Sequence, residues 1–205
     1  MKRILISSAL AAGLIAAPAF AEGPASKPVS SRVWLKGDSS VRSFRCDAKS
    51  VDTRLPGLAQ AGSVEALSRA EVTGEVKILV FTLDCANRTM NDHLQNALKM
   101  REHPQIALKV NSVKLGERKG DAVNVIAKAD LTISGQTRSI VLNAVANETP
   151  SGLVLSGEHK LKMTDYGVQP PSLMLGTMKV KDDVTVGFEL SVAAPAEKPT
   201  AVGQL

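Results

Sequence analysis

Aromatic residues are scarce in this chain: among 205 residues there are one Trp, one Tyr and four Phe, or 3% of the length. That shortage removes the stacking platforms that single-stranded nucleic-acid binders need, and the Lys and Arg residues form no stripe that would replace them. Cysteine is nearly as rare, with Cys46 and Cys85 alone, which excludes a disulfide-dense miniprotein. The three histidines, His93, His103 and His159, show neither the i, i+4 spacing nor the Cys or carboxylate neighbours of a metal site, so no metal is expected. There is no Gly-x-Ser-x-Gly, no phosphate-cradling glycine loop and no Cys-x-x-Cys, so the sequence gives an enzyme no positive support. Asp182 and Asp183 are adjacent and lead into a strand, where neighbours point to opposite faces; a solvated turn fits them better than an acid/base pair. Charged residues at 22%, with ordinary Gly and Pro counts, argue against a disordered or collagen-like chain.

What is present begins with a leader. Lys2 and Arg3 precede the apolar run Ile4 to Ala17, and Ala19-Phe20-Ala21 supplies small residues for a signal peptidase cutting before Glu22. Residues 1–21 are therefore expected to be a cleaved signal peptide, and the periplasm the destination. Removing Lys2 and Arg3 lowers the formal net charge from +5 to +3. No later segment has the roughly 20 consecutive apolar residues of a membrane span. In an oxidising compartment Cys46 and Cys85 are expected to be bridged, with two free buried thiols as the alternative. Residues 22–31, with Pro24 and Pro28, read as a flexible leader, 194–205, with Pro195 and Pro199, as a flexible tail, and 32–193 as one domain.

From Ile106 onward the hydrophobic period is two. Ala122 to Ile133 sets Val123, Val125, Ala127, Ala129, Leu131 and Ile133 on one face, and Arg138 to Ala146 follows after a turn at Ser134-Gly135-Gln136-Thr137. Gly152 to Met163 and Asp183 to Val192 alternate in the same way. With Ile106 to Val110, Val76 to Cys85, Arg32 to Leu35 and Val41 to Ala48, the count of candidate strands is eight. Sequential strands with short connections close most economically as an up-and-down antiparallel barrel, a two-sheet sandwich being the alternative. One short helix is expected, from Thr89, with Asp92 three positions on, to near Arg101; Met90, Leu94, Ala97 and Leu98 form its apolar stripe and Pro104 stops it. Gly62 to Thr73 fits neither period.

The inward set mixes Ala127, Ala129, Ala144, Ala146 and Gly157 with Leu131, Leu142, Leu155 and Phe188, and an eight-stranded barrel is near the size that either fills or holds one small ligand. A hydrophobic lipid cavity and a filled aliphatic core both remain open. If the barrel is hollow, Leu131, Leu142, Leu155, Val186 and Phe188 share inward parity on four strands and should line it, with Leu161, Phe44 and Phe81 as further wall candidates. His159 shares the parity of Leu155 and Leu161; a hydrogen-bonded interior histidine is the ordinary reading, and a contact to a ligand head group the alternative.

Between about Val33 and Val192 the chain resembles the YceI-like family of bacterial exported proteins. The resemblance is carried by Trp34, Gly37-Asp38-Ser39-Ser40-Val41-Arg42-Ser43-Phe44, Met90-Asn91-Asp92-His93-Leu94, His103-Pro104-Gln105-Ile106, Gly135-Gln136-Thr137-Arg138, Met163-Thr164-Asp165-Tyr166-Gly167 and Asp182-Asp183-Val184, in that order. It implies a lipocalin-like antiparallel barrel holding a polyisoprenoid or quinone-type lipid, with Tyr166 among the ligand contacts and no covalent cofactor. Ser39-Ser40 stands where many members carry His-Ser, Tyr166 where Phe is usual, and many members lack the two cysteines. The function expected is binding of an isoprenoid lipid, with transport or storage as its use. The alternative is a protein-binding module presenting Gln169-Pro170-Pro171-Ser172-Leu173-Met174-Leu175 on a rigid barrel.

Overall fold

The computed structural model describes residues 29–173 and 178–194. The expected signal peptide, residues 22–28 of the expected leader and 195–205 of the expected tail lie outside them, as do Met174 and Leu175 of the Gln169–Leu175 loop. Eleven strands are present among the described residues: β1 (Val29–Ser39), β2 (Ser43–Ala48), β3 (Asp52–Arg54), β4 (Gly74–Leu79), β5 (Leu83–Asp84), β6 (Gln105–Lys119), β7 (Ala122–Ile133), β8 (Gln136–Thr149), β9 (Gly152–Lys162), β10 (Ser172–Leu173) and β11 (Met178–Ala193). Ten of them follow one hydrogen-bonded path, β3-β4-β6-β7-β8-β9-β11-β1-β2-β5, and β10 pairs with β11. Every pairing is antiparallel. The sheet curls into a half-barrel whose two edges are joined by chain, since β3 follows β2 and β5 follows β4 with short breaks between.

The alternation of the sequence is the register of this sheet. Val125, Ala127 and Ala129 of β7 face Ala144, Leu142 and Ile140 of β8 across a two-residue turn at Ser134 and Gly135, both at positive φ. Leu155, Gly157, His159 and Leu161 of β9 oppose Leu190, Phe188, Val186 and Val184 of β11. Gly157 carries no side chain because the Phe188 ring occupies that space: a Cβ there would sit 2.7 Å from the ring and 2.4 Å from the Asn143 carbonyl oxygen. On the outer face Trp34 covers Gly187 in the same manner, with the Arg45 guanidinium 4.7 Å from its ring centre.

Several expectations are corrected. The count of eight strands is not met, because the expected strand Val76 to Cys85 is broken by a 3-10 turn at Val80–Thr82 and short β3 and β10 are added. The Thr82 hydroxyl donates to the Leu79 carbonyl across that turn at 2.7 Å, which reverses the parity beyond it. Phe81 consequently points to solvent, 62% exposed, rather than into the wall. Among the described residues there are three α-helices instead of one: α1 (Pro56–Gln60), α2 (Val64–Arg69) and α3 (Arg88–Ala97). α2 occupies half of the Gly62 to Thr73 segment that fits no period, and α1 lies just before it; Ser63 caps α2 by accepting from the Ala66 amide at 3.1 Å. Helices of five and six residues, with two buried apolar residues each, give too few repeats for a period to show. Helix α3 starts from Asn87, whose side chain accepts from the Met90 amide, and ends at Ala97 instead of near Arg101 because Lys99 takes a left-handed φ of 53°. The leader gives up Val29 to Ser31 to β1, where Val29 pairs with Val192 and the Ser31 and Thr53 hydroxyls share a hydrogen bond. β11 likewise begins at Met178, so Asp182 and Asp183 lie within a strand rather than a turn.

Two apolar clusters define the ends of the half-barrel. Leu58, Ala61, Val64 and Leu67 from the α1–α2 segment pack against Val76, Val110, Val123, Ala146, Leu153 and Val192, forming a closed floor. At the other end Ile78, Val80, Leu98, Ile133, Tyr166 and Val168 pack together, with Leu94 and Ala97 of α3 against them. Among the described residues no helix is long and apolar enough to cross a membrane.

Candidate functional site

Between the floor and the α3 end lies a cavity of about 510 Å³, lined almost entirely by apolar side chains. That is more than three times the roughly 150 Å³ of an engineered apolar cavity that binds benzene, and within the range of about 300–1,000 Å³ typical of small-molecule sites. The barrel is hollow rather than filled. Its inward residues show the same thing individually: Val33, Leu131, Leu142, Leu161, Val186 and Phe188 are only half-buried although they point inward.

Of the residues singled out in the sequence, Phe44, Leu131, Leu142, Leu155, His159, Leu161, Tyr166, Val186 and Phe188 all line this one cavity, and Phe81 does not. Sequence parity left out the contributions of Ile106 and Leu108 from β6, although their alternation was visible, of Val113, which a register shift between Val110 and Ser112 brings inward, and of Leu55, Leu58 and Leu67 in the floor, which had no periodic signal. It also left out the rim. Arg42, Asn87 and Thr89 are exposed and still line the cavity, which marks the side on which it opens, and Met90, His93 and Leu94 of α3 stand beside them. Pro171 lines the cavity too, so this part of the Gln169–Leu175 loop faces the channel.

Cys46 and Cys85 form the disulfide expected of them, and both residues border the cavity. Cys46 is wholly buried. The mouth is fastened by polar contacts around it. Asn91 accepts from the Cys85 amide at 2.7 Å and donates to Asp84 at 3.1 Å, tying α3 to β5; that bond first, then the Ala86 amide and Lys49, holds the Asp84 carboxyl below the usual carboxylate range. Asp182 accepts from the Thr164 hydroxyl at 2.6 Å and the Thr164 amide at 2.9 Å, which lowers its carboxyl in turn and fixes the Met163–Tyr166 turn. Arg138 donates to the Asp165 carbonyl at 3.0 Å. The turn so held delivers Tyr166 into the cavity wall, only 2% exposed, and burial raises its phenol further above the ordinary value than the neighbouring Asp165 does, against a smaller opposite pull from Arg138.

His159 is inward, as its parity predicts, but the ordinary expectation of a hydrogen-bonded interior histidine is not what the structure shows: no described residue bonds to it. Burial among apolar walls pulls its imidazole below the ordinary 6.5. The unfolded chain therefore binds a proton more readily than the folded one between 6.5 and the lowered value, so this contribution to stability is complete above pH 6.5 and is lost as pH falls below it. The melting temperature should decline between pH 7 and 5, and His159→Leu should flatten the decline. An unchanged slope in that variant would remove the assignment. The carboxylates held low, Asp47, Glu75, Asp84, Asp130 and Asp182, lose their contributions only below about pH 4.5 and leave the window clear.

Among the described residues no group of three His, Cys, Asp or Glu side chains is placed to hold a metal. The arrangement is a deep apolar socket with a polar rim, suited to an elongated hydrophobic molecule that enters from one side.

Comparison with known proteins agrees with this geometry. No curated protein matches the chain. Among solved structures it is similar to BcnA of Burkholderia cenocepacia, at 17% identity and a TM-score of 0.61, covering 78% of this chain and 94% of that one. It is similar to a polyisoprenoid binding domain from Saccharophagus degradans implicated in plant cell wall breakdown, at 13% identity and a TM-score of 0.59, covering 80% and 94%. It is also similar to the YceI protein of Campylobacter jejuni, at 17% identity and a TM-score of 0.54, covering 74% and 85%. At these identities the likeness concerns the fold. The YceI-like domain family matches residues 38–192, three quarters of the sequence and nearly the whole of the half-barrel, and the chain belongs to that family.

Proposed function

We propose that this protein is exported to the periplasm and there binds a polyisoprenoid or quinone-type lipid, whose tail lies in the channel, for transport or storage. The observation that carries the reading is the apolar cavity of about 510 Å³, closed at the α1–α2 floor and open at the α3 rim. Each methylene moved from water into such a wall contributes ~0.8 kcal/mol before ordering costs, so a tail of several prenyl units binds without a specific polar contact. The neighbouring polyisoprenoid binding domain of the same fold supports the choice of ligand class. No reaction is proposed.

Native mass spectrometry on the protein isolated from the periplasmic fraction of its own cells tests the whole reading. The expected result is the mass of residues 22–205 with a second species heavier by a lipid of defined mass. A full-length mass would overturn export with cleavage, and a ligand-free protein that also refuses added prenyl lipids would overturn the lipid function.

A further inference from the structure

The rim of the channel carries an apolar tip that the binding of a tail inside does not use. Strands β1 and β2 pair as far as Asp38 and Ser43, and the turn between them brings Ser39 and Arg42 to the border of the cavity. Ser39 fixes that turn: its Oγ accepts from the Val41 and Arg42 amides at 3.2 and 3.1 Å and donates to the Arg42 carbonyl at 2.8 Å. Ser40 ties the turn to β11, donating its amide to the Lys179 carbonyl at 2.9 Å and accepting from the Lys179 amide at 3.2 Å. Turns exposed to water favour Gly, Pro, Asn, Asp or Ser, yet this one presents Val41, at 67% the most exposed large apolar side chain among the described residues. The backbone already holds it in place, so seating it against a partner costs little further ordering.

The charges beside Val41 restrict that partner. Arg42 and Lys179 are exposed, and neither belongs to an ion pair among the described residues. The carboxylate next along β1, Asp38, is already engaged: it accepts from the Ser43 hydroxyl at 2.6 Å and lies 3.7 Å from the Lys181 ammonium. On α3, between the rim residues Asn87 and Thr89, Arg88 is exposed and unpaired as well, with Asp92 one turn on as the exposed carboxylate set against it. An apolar side chain flanked by free cations matches a surface that is anionic outside and hydrocarbon beneath. We infer that the Ser39–Arg42 turn is a membrane-docking tip, which seats the channel mouth on an anionic phospholipid bilayer with Val41 at the headgroup–acyl boundary and Arg42 and Lys179 against the lipid phosphates. Because Arg42 also borders the cavity, the docked opening faces the bilayer. The inference rests on the lipid reading for its use: a prenyl tail then passes between bilayer and channel without crossing water.

The test is co-sedimentation with vesicles of phosphatidylcholine alone and of phosphatidylcholine mixed with phosphatidylglycerol, with folding of each variant checked by thermal melting. The parent should bind the mixed vesicles more tightly and lose that preference as salt is raised. Arg42→Gln and Lys179→Gln should each weaken binding to the mixed vesicles by about fivefold, and Val41→Ser by a similar factor on both kinds. Lys119→Gln, at the β6–β7 turn beyond the floor, should change nothing, because that end faces away from the bilayer. A parent that binds neither vesicle, no preference for the anionic one, or losses in Lys119→Gln equal to those in Arg42→Gln would overturn the tip. None of these measurements needs a loaded channel, so the lipid function would survive them. A parent that docks as expected but takes up no prenyl lipid added to the vesicles would leave the tip standing and overturn the lipid function instead.

Discussion

Replacing Leu142 with Trp should abolish binding of a long lipid while leaving the melting temperature within a few degrees of the parent. Leu142 projects inward from β8, opposite Ala127, and is only half-buried because the cavity lies beyond it. The larger ring can extend into that space, where it would displace about four methylenes of a bound tail; at ~0.8 kcal/mol each this is ~3 kcal/mol, or about a hundredfold in affinity. In a filled core the same substitution would overpack at a cost of about 1–3 kcal/mol. Ala146→Trp supplies that contrast within the same molecule, since Ala146 is wholly buried in the floor cluster two positions beyond Ala144 on the same strand face. A melting temperature that falls as far in Leu142→Trp as in Ala146→Trp would mean that the channel wall is not free to accept volume. Phe188 is a poorer site for this experiment: its ring already lies on Gly157, so enlargement would press on backbone before it reached the channel.

That comparison between Leu142 and Ala146 shows where sequence reading succeeds and where it stops. Both residues share one parity, and a period of two is enough to place them on the inner face of β8. Nothing in the period says that one meets a void and the other a plug, because the plug is supplied by α1 and α2 from a segment whose helices are too short to show periodicity. The same limit explains Phe81. Its apolar neighbours Val80 and Leu83 make the run look continuous, but a 3-10 turn inserted within it changes the face that each later residue presents. The family motifs were legible as a resemblance, but their roles were not. Asn91 binds Asp84 and the Cys85 amide, Thr164 binds Asp182, Arg138 binds the Asp165 carbonyl, and the His103 ring lies against Gly135. The Asn91 contacts are local, whereas the others join residues 18 or more positions apart. The resemblance is thus densest where irregular backbone must be held in place, whereas the wall between is built from interchangeable aliphatic residues that leave a weaker signature.

Removing the disulfide should lower the melting temperature by about 10 °C. The bridge links residues separated by 39 positions, and closing a loop of that length stabilises by roughly 4 kcal/mol in the chain-entropy model. For a domain of this size each kcal/mol corresponds to about 2–4 °C. The location adds to the expectation. β2 and β5 pair through only two residue pairs, Asp47 with Asp84 and Ala48 with Leu83, so the bridge reinforces the shortest ladder on the strand path beside the mouth. Thiol counting on the denatured, unreduced protein should find none, and the Cys46→Ala, Cys85→Ala double variant should melt early in the absence of ligand. A saturating lipid should return part of the loss, because it binds the folded state alone and contributes in proportion to the logarithm of its concentration over Kd. If the double variant melts within about 3 °C of the parent, the ladder and the α3 contacts hold that edge by themselves, and the bridge is not what keeps β5 on β2.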